Sequence, residues 1–261
     1  MSTRSGIVLR LLRIVYSSYT ILSEICVKTA ADEVFVFWYT TCMSTKYTNI
    51  VLPLLVLIAA ATGVFFYPSL PDTIVSHWNT AGEANGYMGK FWGVFLFPLI
   101  MLFTYGVYLL IPKIDPLKAN IESFRKYYNA FWVLFSIFFL YIFFLSLTWN
   151  AGFEFDFSMA LVPALAVFFF LIGVLLKHAK RNWFFGIRTP WTLSSDIVWD
   201  KTHQLGATLF KIIALVMLFG IAFPEQFIWF LIVPLFASVA YLLIYSYLEY
   251  QKLDPSQKNL K

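Results

Sequence analysis

The sequence predicts an all-α integral membrane protein, a polytopic transmembrane helix bundle of about six spans with both termini cytoplasmic. Hydrophobic residues make up 60% of the 261 residues and charged residues only 13%, whereas a soluble domain is about half apolar and about a quarter charged. The apolar residues also fall into runs of about 20, the length that crosses a bilayer core as a helix. A transmembrane barrel would instead show short alternating segments.

Residues 1–46 form an N-terminal extension that allows two interpretations. Arg10 and Arg13 interrupt an apolar stretch and recur at helical spacing, a pattern typical of a helix lying on the membrane surface. Alternatively, translation starts at Met43 and residues 1–42 are an artefact of the gene model. The sequence favours the second interpretation, because MSTKYTNIVLP is an ordinary cytoplasmic lead into a first span.

Six apolar runs follow the extension and predict the spans, at about 49–67, 92–111, 129–149, 158–176, 207–223 and 227–248. They form an N-terminal membrane half, 47–128, and a C-terminal half, 129–248, followed by a polar tail, 249–261. Proline cannot continue a helical hydrogen-bond ladder, so Pro68 and Pro71 end the first span. A tight turn at Pro224–Gln226 separates the last two spans.

Basic residues predict the orientation of these spans. Loops 112–128 and 177–206 and the tail hold twelve Lys and Arg residues, whereas loops 68–91, 150–157 and 224–226 hold Lys90 alone. Lys and Arg concentrate in cytoplasmic loops. We therefore expect a multi-pass protein of the plasma membrane, with an outer loop at 68–93 and an inner loop at 177–206.

The inner loop leads into the fifth span through a predicted helix. Ser194 is a suitable N-cap, and Asp196 stands in the first turn, where a helix N-terminus favours an anion. We expect this helix to continue from Ser195 into the span at about 207–223.

Neither loop carries a strong metal signature. Asp72, His77 and Glu83 have irregular spacing, and turn residues with an aromatic belt explain the outer loop better. In the inner loop, Asp196, Asp200 and His203 share one helix face and are weak metal candidates. A solvated charge stripe at the start of a helix is the favoured interpretation of these three residues, so the sequence predicts no metal site.

The spans and loops also lack the sequence features of several other classes of protein. Lys211 is the only charged residue in the spans, whereas proton-coupled transporters usually carry intramembrane ionisable groups. We find no nucleotide-phosphate loop and no GxSxG elbow. The two cysteines, Cys26 and Cys42, predict neither a disulfide framework nor a metal site. We therefore expect no enzyme, no cofactor and no direct contact with nucleic acid.

Two motifs resemble those of SdpI-like membrane proteins. After Pro71 and Asp72, the outer loop resembles the signature PxxxxxHWNxxGxxxG, at His77, Trp78, Asn79, Gly82 and Gly86. The inner loop resembles GIRTPWTLS followed by VWxKTHxxGG, at Arg188, Thr189, Pro190, Trp191, Trp199 and His203. Asn85 stands where the outer motif commonly has Asp, and Ala207 where the inner one commonly has a second Gly. The resemblance covers about 47–248.

The resemblance implies an immunity or receptor role in the membrane. The outer motif would bind a secreted peptide toxin, and the inner motif would contact a small cytoplasmic repressor or lipid headgroups. The remaining partners are membrane lipids. A small-molecule or lipid transporter of the same topology is the alternative that the sequence leaves open.

Overall fold

A computed structural model describes residues 43–79, 82–223 and 226–254. The predictions for residues 1–42, namely the surface helix, the gene-model start and both cysteines, lie outside the described residues. Pro224, most of the adjoining turn and residues 255–261 of the tail lie outside them as well.

The described chain is mostly helical, with one hairpin near its start. Its elements, in chain order, are α1 Thr45–Phe66, a 3-10 turn Tyr67–Ser69, β1 Thr73–Trp78, β2 Ala84–Gly89, α2 Lys90–Ile114, α3 Lys118–Ser123, α4 Arg125–Asn150, α5 Phe157–Leu176, α6 Pro190–Leu193, α7 Asp196–Gly220 and α8 Phe227–Gln251. The helices α1, α2, α4, α5, α7 and α8 are each long and apolar enough to cross a membrane. The prediction of a multi-pass membrane protein with six helical spans is confirmed.

Helix α7 starts well before the predicted fifth span, as the sequence indicated. Its N-cap is Ser195, whose hydroxyl accepts a hydrogen bond from the Val198 amide at 3.5 Å. The prediction of Ser194 as the N-cap was wrong by one residue. Ser194 instead ends the short helix α6, and its hydroxyl donates to the Pro190 carbonyl at 2.6 Å.

The outer loop contains a two-stranded antiparallel hairpin that the sequence analysis described only as a set of turns. Ile74 pairs with Met88, and the register shifts on either side of His77. Ile74 is buried against α2, where a Cβ atom on Gly93 would lie 2.1 Å from its Cδ1 atom. The absence of a side chain at Gly93 therefore lets the hairpin lie directly on the start of α2.

The long helices pack as two groups of three. Helices α1, α2 and α4 contact one another, α7 contacts both α5 and α8, and contacts between α4 and α5 join the groups. Glycines stand at close crossings: a Cβ atom on Gly63 would lie 2.8 Å from Val94, and one on Gly173 would lie 2.7 Å from the Ala207 carbonyl. Small residues at such crossings let transmembrane helices approach closely.

The connections gather at two opposite ends of the bundle. The hairpin end comprises the described residues of 67–90, 151–156 and 221–226, and the cap end comprises 115–124, 177–195 and the chain after α8. Contacts between distant segments define each end, such as the Asn150 side chain with Val75 and the Asn120 side chain with the Arg181 carbonyl. The predicted grouping of loops agrees with this arrangement, and the side of the membrane that each end faces stays a prediction.

Candidate functional site

At the hairpin end, Asn79 and Gly82 of the HWNxxG motif build the turn of the hairpin. The Asn79 side chain accepts a hydrogen bond from the Glu83 amide and donates one to the Glu83 carboxylate, both at 2.9 Å. Gly82 has a φ of 77°, a left-handed conformation that glycine adopts without a steric penalty. The motif residues here shape the loop through their own contacts.

His77 lies on the exposed side of the hairpin. Its Nδ1 atom is 2.6 Å from the Asn85 side-chain oxygen, which assigns the donor hydrogen to Nδ1. A Cβ atom on Gly86 would lie 2.8 Å from the His77 Cβ atom, so Gly86 leaves room for the histidine. At the position where the family motif commonly has Asp, Asn85 still supplies an oxygen acceptor to this histidine, without the negative charge.

Trp78 anchors the hairpin to the neighbouring helices. Its ring is stacked on Phe157 at 3.8 Å between centroids and meets Trp149 edge to face at 5.5 Å. Its indole nitrogen is buried and has no hydrogen-bond partner among the described residues. Trp78 therefore holds the hairpin mainly through ring contacts.

Asn150, which the sequence analysis did not single out, is a second anchor of the hairpin. It ends α4, and its side chain accepts from the Val75 amide at 2.7 Å and donates to the Val75 carbonyl at 3.0 Å. The amide group thus continues the backbone pairing of β1 on its free side. The only sequence signal was a polar side chain at the end of a long apolar run.

A cavity of about 770 Å³ lies beneath the hairpin. The hairpin and four helices contribute its lining. The lining residues are 74–78 of β1, Asn79, Met88 of β2, Gly93, Leu96 and Phe97 of α2, Ile142 and Ser146 of α4, Phe157, Ser158, Leu161 and Leu165 of α5, and Phe227, Ile228 and Leu231 of α8. Its volume and its mostly apolar walls with a few polar groups are typical of ligand pockets. His77, Trp78 and Asn79 contribute to the wall, whereas Gly82 and Gly86 shape the loop beside it.

At the cap end, Asn182 organises the inner loop. It is fully buried, its side-chain oxygen accepts from the amides of Phe184 and Phe185, and its side-chain nitrogen donates to the carbonyls of Lys180 and Phe185. Arg188 is exposed, and its guanidinium donates to the Trp183 carbonyl at 2.5 Å. Arg188 was among the residues predicted from the sequence, whereas Asn182 was not.

Trp199 and His203 form the buried base of the inner loop. Their rings are stacked at 4.0 Å, and the Trp199 indole donates to the Ala179 carbonyl at 2.8 Å. The His203 Nε2 atom accepts from the Ile187 amide at 3.0 Å, and its Nδ1 atom lies 2.9 Å from the Trp199 carbonyl. Since both ring nitrogens are engaged inside the protein, these two side chains can affect a partner only through the loop that they support.

Thr189, Pro190 and Trp191 connect the inner loop to α8. Thr189 caps α6 in a reciprocal capping box with Thr192. Its hydroxyl also donates to the Ser246 hydroxyl of α8 at 3.1 Å, and Trp191 meets Tyr247 edge to face. Pro190 is exposed on the surface of the loop.

The two weak metal candidates beside His203 are engaged in ion pairs. Asp196 pairs with Arg181 at 2.7 Å, and Asp200 pairs with Lys180 at 3.5 Å. In the described part of the chain, no three His, Cys, Asp or Glu side chains are grouped to hold a metal ion. Neither candidate set of metal ligands converges on a common point. The two sets are Asp196, Asp200 and His203 in the inner loop and Asp72, His77 and Glu83 in the outer loop.

His178 is a partly buried titratable group at the cap end. Its ring is stacked on Tyr127 at 4.0 Å. Burial lowers the pKa of His178 to about 4, and the positive charges of Lys177, Lys211 and Lys180 act in the same direction. The imidazole is therefore neutral at pH 7.

Two protein-family models match this chain, one over a segment that contains the hairpin and one over a segment that contains most of the inner loop. A family model described as the SdpI/YfhL protein family matches residues 178–246, and one described as a domain of unknown function (DUF1648) matches residues 54–102. The chain is 24% identical over 211 residues to the immunity protein SdpI of Bacillus subtilis (strain 168), covering 80% of this chain and 99% of the relative. The chain is therefore similar in sequence to SdpI over most of its length. No solved structure gives a significant match.

The two family models overlap the two candidate sites of this chain. The first covers most of the inner loop together with α7 and most of α8, and the second covers the hairpin and half of α2. The similarity to SdpI supports a membrane function like that of an immunity protein. The roles of the individual site residues stay predictions.

Proposed function

We propose that this chain protects a membrane against a secreted peptide toxin, which it binds at the hairpin end without catalysis or a cofactor. The cavity beneath the HWN motif carries the proposal. A peptide that enters the bilayer interface would meet the exposed His77 and then the apolar walls below it. The similarity to an immunity protein supports the same role.

Helix α8 offers a route by which toxin binding could reach the cap end. Phe227, Ile228 and Leu231, near its start, line the cavity. Near its other end, Ser246 bonds Thr189. A displacement of α8 by a bound toxin would therefore move residues that hold the inner loop.

The same helix makes further contacts at the cap end. Glu249 is buried, and its carboxylate accepts hydrogen bonds from Lys201 of α7, at 2.7 Å, and from Lys252.

We propose that two exposed residues of the inner loop, Arg188 and Pro190, contact a small cytoplasmic repressor when α8 moves. This coupling requires that the toxin bind one arrangement of α8 better than the other, because indifferent binding shifts no equilibrium.

A challenge assay tests the immunity role. Cells with and without the chain are exposed to peptides concentrated from the growth medium of the source organism, and survival is measured against dose. We expect the intact chain to raise the tolerated dose. Equal survival of both cultures across all doses would contradict the proposed function.

Three variants refine this assay. Leu161→Trp fills the cavity and should remove protection, whereas Val167→Trp, on the exposed surface of the same helix, should retain it. His77→Ala should reduce protection. Arg188→Ala should leave toxin binding intact but weaken the cytoplasmic response, which a reporter gene under the repressor would measure.

A small-molecule or lipid transporter is the second candidate function, and the size of the cavity is the observation that favours it. Its volume of about 770 Å³ lies within the range of small-molecule pockets. Mass spectrometry of the purified chain would detect a bound molecule, and uptake of that molecule into vesicles would be measured next. Transport that Leu161→Trp abolishes and Val167→Trp preserves would support this candidate over the immunity role.

A further inference from the structure

We infer that the cavity at the hairpin end binds an apolar peptide segment that carries positive charge at one end. The inference deepens the proposed function and rests on it for the identification of the peptide as a toxin. It specifies the chemistry of the ligand: apolar side chains inside the cavity and lysine or arginine at its rim.

The walls of the cavity select for an apolar segment. Leu96, Phe97, Ile142, Leu161 and Leu231 line it from four different helices. Polar side chains are few in this lining. A segment rich in Leu, Ile or Phe would pack against these walls without leaving polar groups unpaired.

Two carboxylates lie next to residues that line the cavity. Glu83 accepts a hydrogen bond from Asn79, which lines the cavity. Asp156 caps α5 directly before two lining residues, and a Cβ atom on Gly82 would lie 2.8 Å from its Oδ1 atom. Both carboxylates are exposed, and neither forms an ion pair among the described residues.

The rest of the hairpin end has the same sign of charge. Asp72 and Glu154 are also exposed there. Lys90 is the one Lys or Arg among the described residues of this end, and its ammonium group donates to the Leu70 carbonyl at 2.6 Å and lies over the Tyr67 ring. A ligand with basic residues would therefore meet complementary charge, and an acidic ligand would be repelled.

Because both carboxylates are exposed, each would attract a basic group only modestly, and the preference depends on the two acting together. A basic group between Glu83 and Asp156 would also offset the repulsion between these two carboxylates. An uncharged or acidic segment of equal length would gain the apolar contacts alone.

The test uses two synthetic helical peptides of leucine and alanine that differ only in two terminal residues, Lys-Lys or Glu-Glu. The full chain is placed in phosphatidylcholine nanodiscs, and binding is measured above the partition into empty nanodiscs. We expect the Lys-Lys peptide to bind roughly tenfold or more tightly than the Glu-Glu peptide. Equal affinities would overturn the inference.

A double variant, Glu83→Gln with Asp156→Asn, identifies the source of the preference. Glutamine keeps a hydrogen-bond acceptor for Asn79, and asparagine is as good an N-cap as aspartate, so the hairpin and α5 should stay folded. The preference for the Lys-Lys peptide should fall to a few-fold at most. An undiminished preference would show that these carboxylates do not recognise the charge.

Cavity-filling variants locate the apolar part of the peptide. Leu161→Trp and Leu231→Trp, on α5 and α8, should each abolish binding of the Lys-Lys peptide, and Val167→Trp should not. Melting temperatures establish which variants are folded, and either folded cavity variant suffices. Unchanged binding to a folded cavity variant would place the peptide on the acidic surface alone and overturn the inference. Retention in the cavity of a phospholipid that the peptide cannot displace would also overturn the inference.

The two proposals fail in different experiments. Charge-selective binding inside the cavity, with no protection in the challenge assay, would contradict the immunity role and leave the ligand chemistry standing. Protection in cells together with charge-indifferent binding would leave the immunity role standing and overturn the ligand chemistry.

Discussion

Gly186 lies directly against the ring of His203. A Cβ atom on Gly186 would be 2.3 Å from the His203 Nε2 atom, which accepts the hydrogen bond from the Ile187 amide. The φ of Gly186 is 107°, a conformation that other residues rarely adopt. Glycine at the first position of the GIRTPWTLS motif is therefore required by the close approach of His203, which lies 17 positions later in the sequence, in α7.

Gly186→Ala should destabilise the cap end. The backbone strain costs of order 1–3 kcal/mol, and the methyl group would separate His203 from the Ile187 amide. Thermal unfolding in detergent should show a lower melting temperature. Gly106→Ala is the matched control, since nothing lies within 4 Å of a Cβ atom there and the residue is in the middle of α2. A melting temperature of Gly186→Ala equal to that of the control would contradict this prediction.

Asn150→Leu should loosen the hairpin while leaving the cap end unchanged. It removes the bonds to both backbone groups of Val75, a buried residue, and each unsatisfied group costs about 1–3 kcal/mol. Hydrogen exchange should therefore speed up in β1 and not in α6. Asn150→Asp keeps an acceptor and loses the donors, so its effect should be intermediate. Unchanged protection of β1 in both variants would show that Asn150 does not hold the hairpin.

Cysteine labelling should place the hairpin end outside the cell. After both native cysteines are replaced by serine, a membrane-impermeant maleimide should label Tyr87→Cys in intact cells and Glu122→Cys only after permeabilisation. Both positions are exposed in the structure. A cysteine at Ser195 would be uninformative because this residue is buried. Labelling of Glu122→Cys alone in intact cells would reverse the predicted orientation.

The chain should lose stability in acid partly through His178. The lowered pKa means that the folded protein binds fewer protons here than the unfolded chain between about pH 6.5 and about pH 4. The contribution of His178 to the free energy of unfolding is thus present above pH 6.5 and is lost as the pH falls through 4. His178→Gln should flatten the profile of melting temperature against pH in this window. A profile of His178→Gln parallel to that of the unchanged chain would contradict the prediction.

The membrane architecture could be predicted from local sequence alone. Apolar runs of about 20 residues have few stable alternatives to a spanning helix, because every backbone polar group in lipid must be satisfied within the segment. Capping preferences placed the start of α7 within one residue. The error between Ser194 and Ser195 arose from α6, a single helical turn whose stability depends on the contacts of Thr189 and Trp191 with α8.

The hairpin could not be predicted in this way. Its strands are six residues long, one of them is rich in glycine, and an isolated hairpin is marginally stable. Its order comes from Asn150 at a separation of 75 residues and from the close approach of Ile74 to Gly93. Neither contact leaves a periodic pattern in the sequence.

The sequence by itself determined the six spans, the clustering of basic residues at one end and the two motifs that mark the candidate sites. The tertiary structure alone decided what the motif residues do: it buried Trp199 and His203 beneath the inner loop and left Arg188 exposed. It also brought β1 and the ends of four helices around one cavity. The physical reason is that helix formation in lipid is a local requirement, whereas burial and cavity shape depend on which distant side chains pack together.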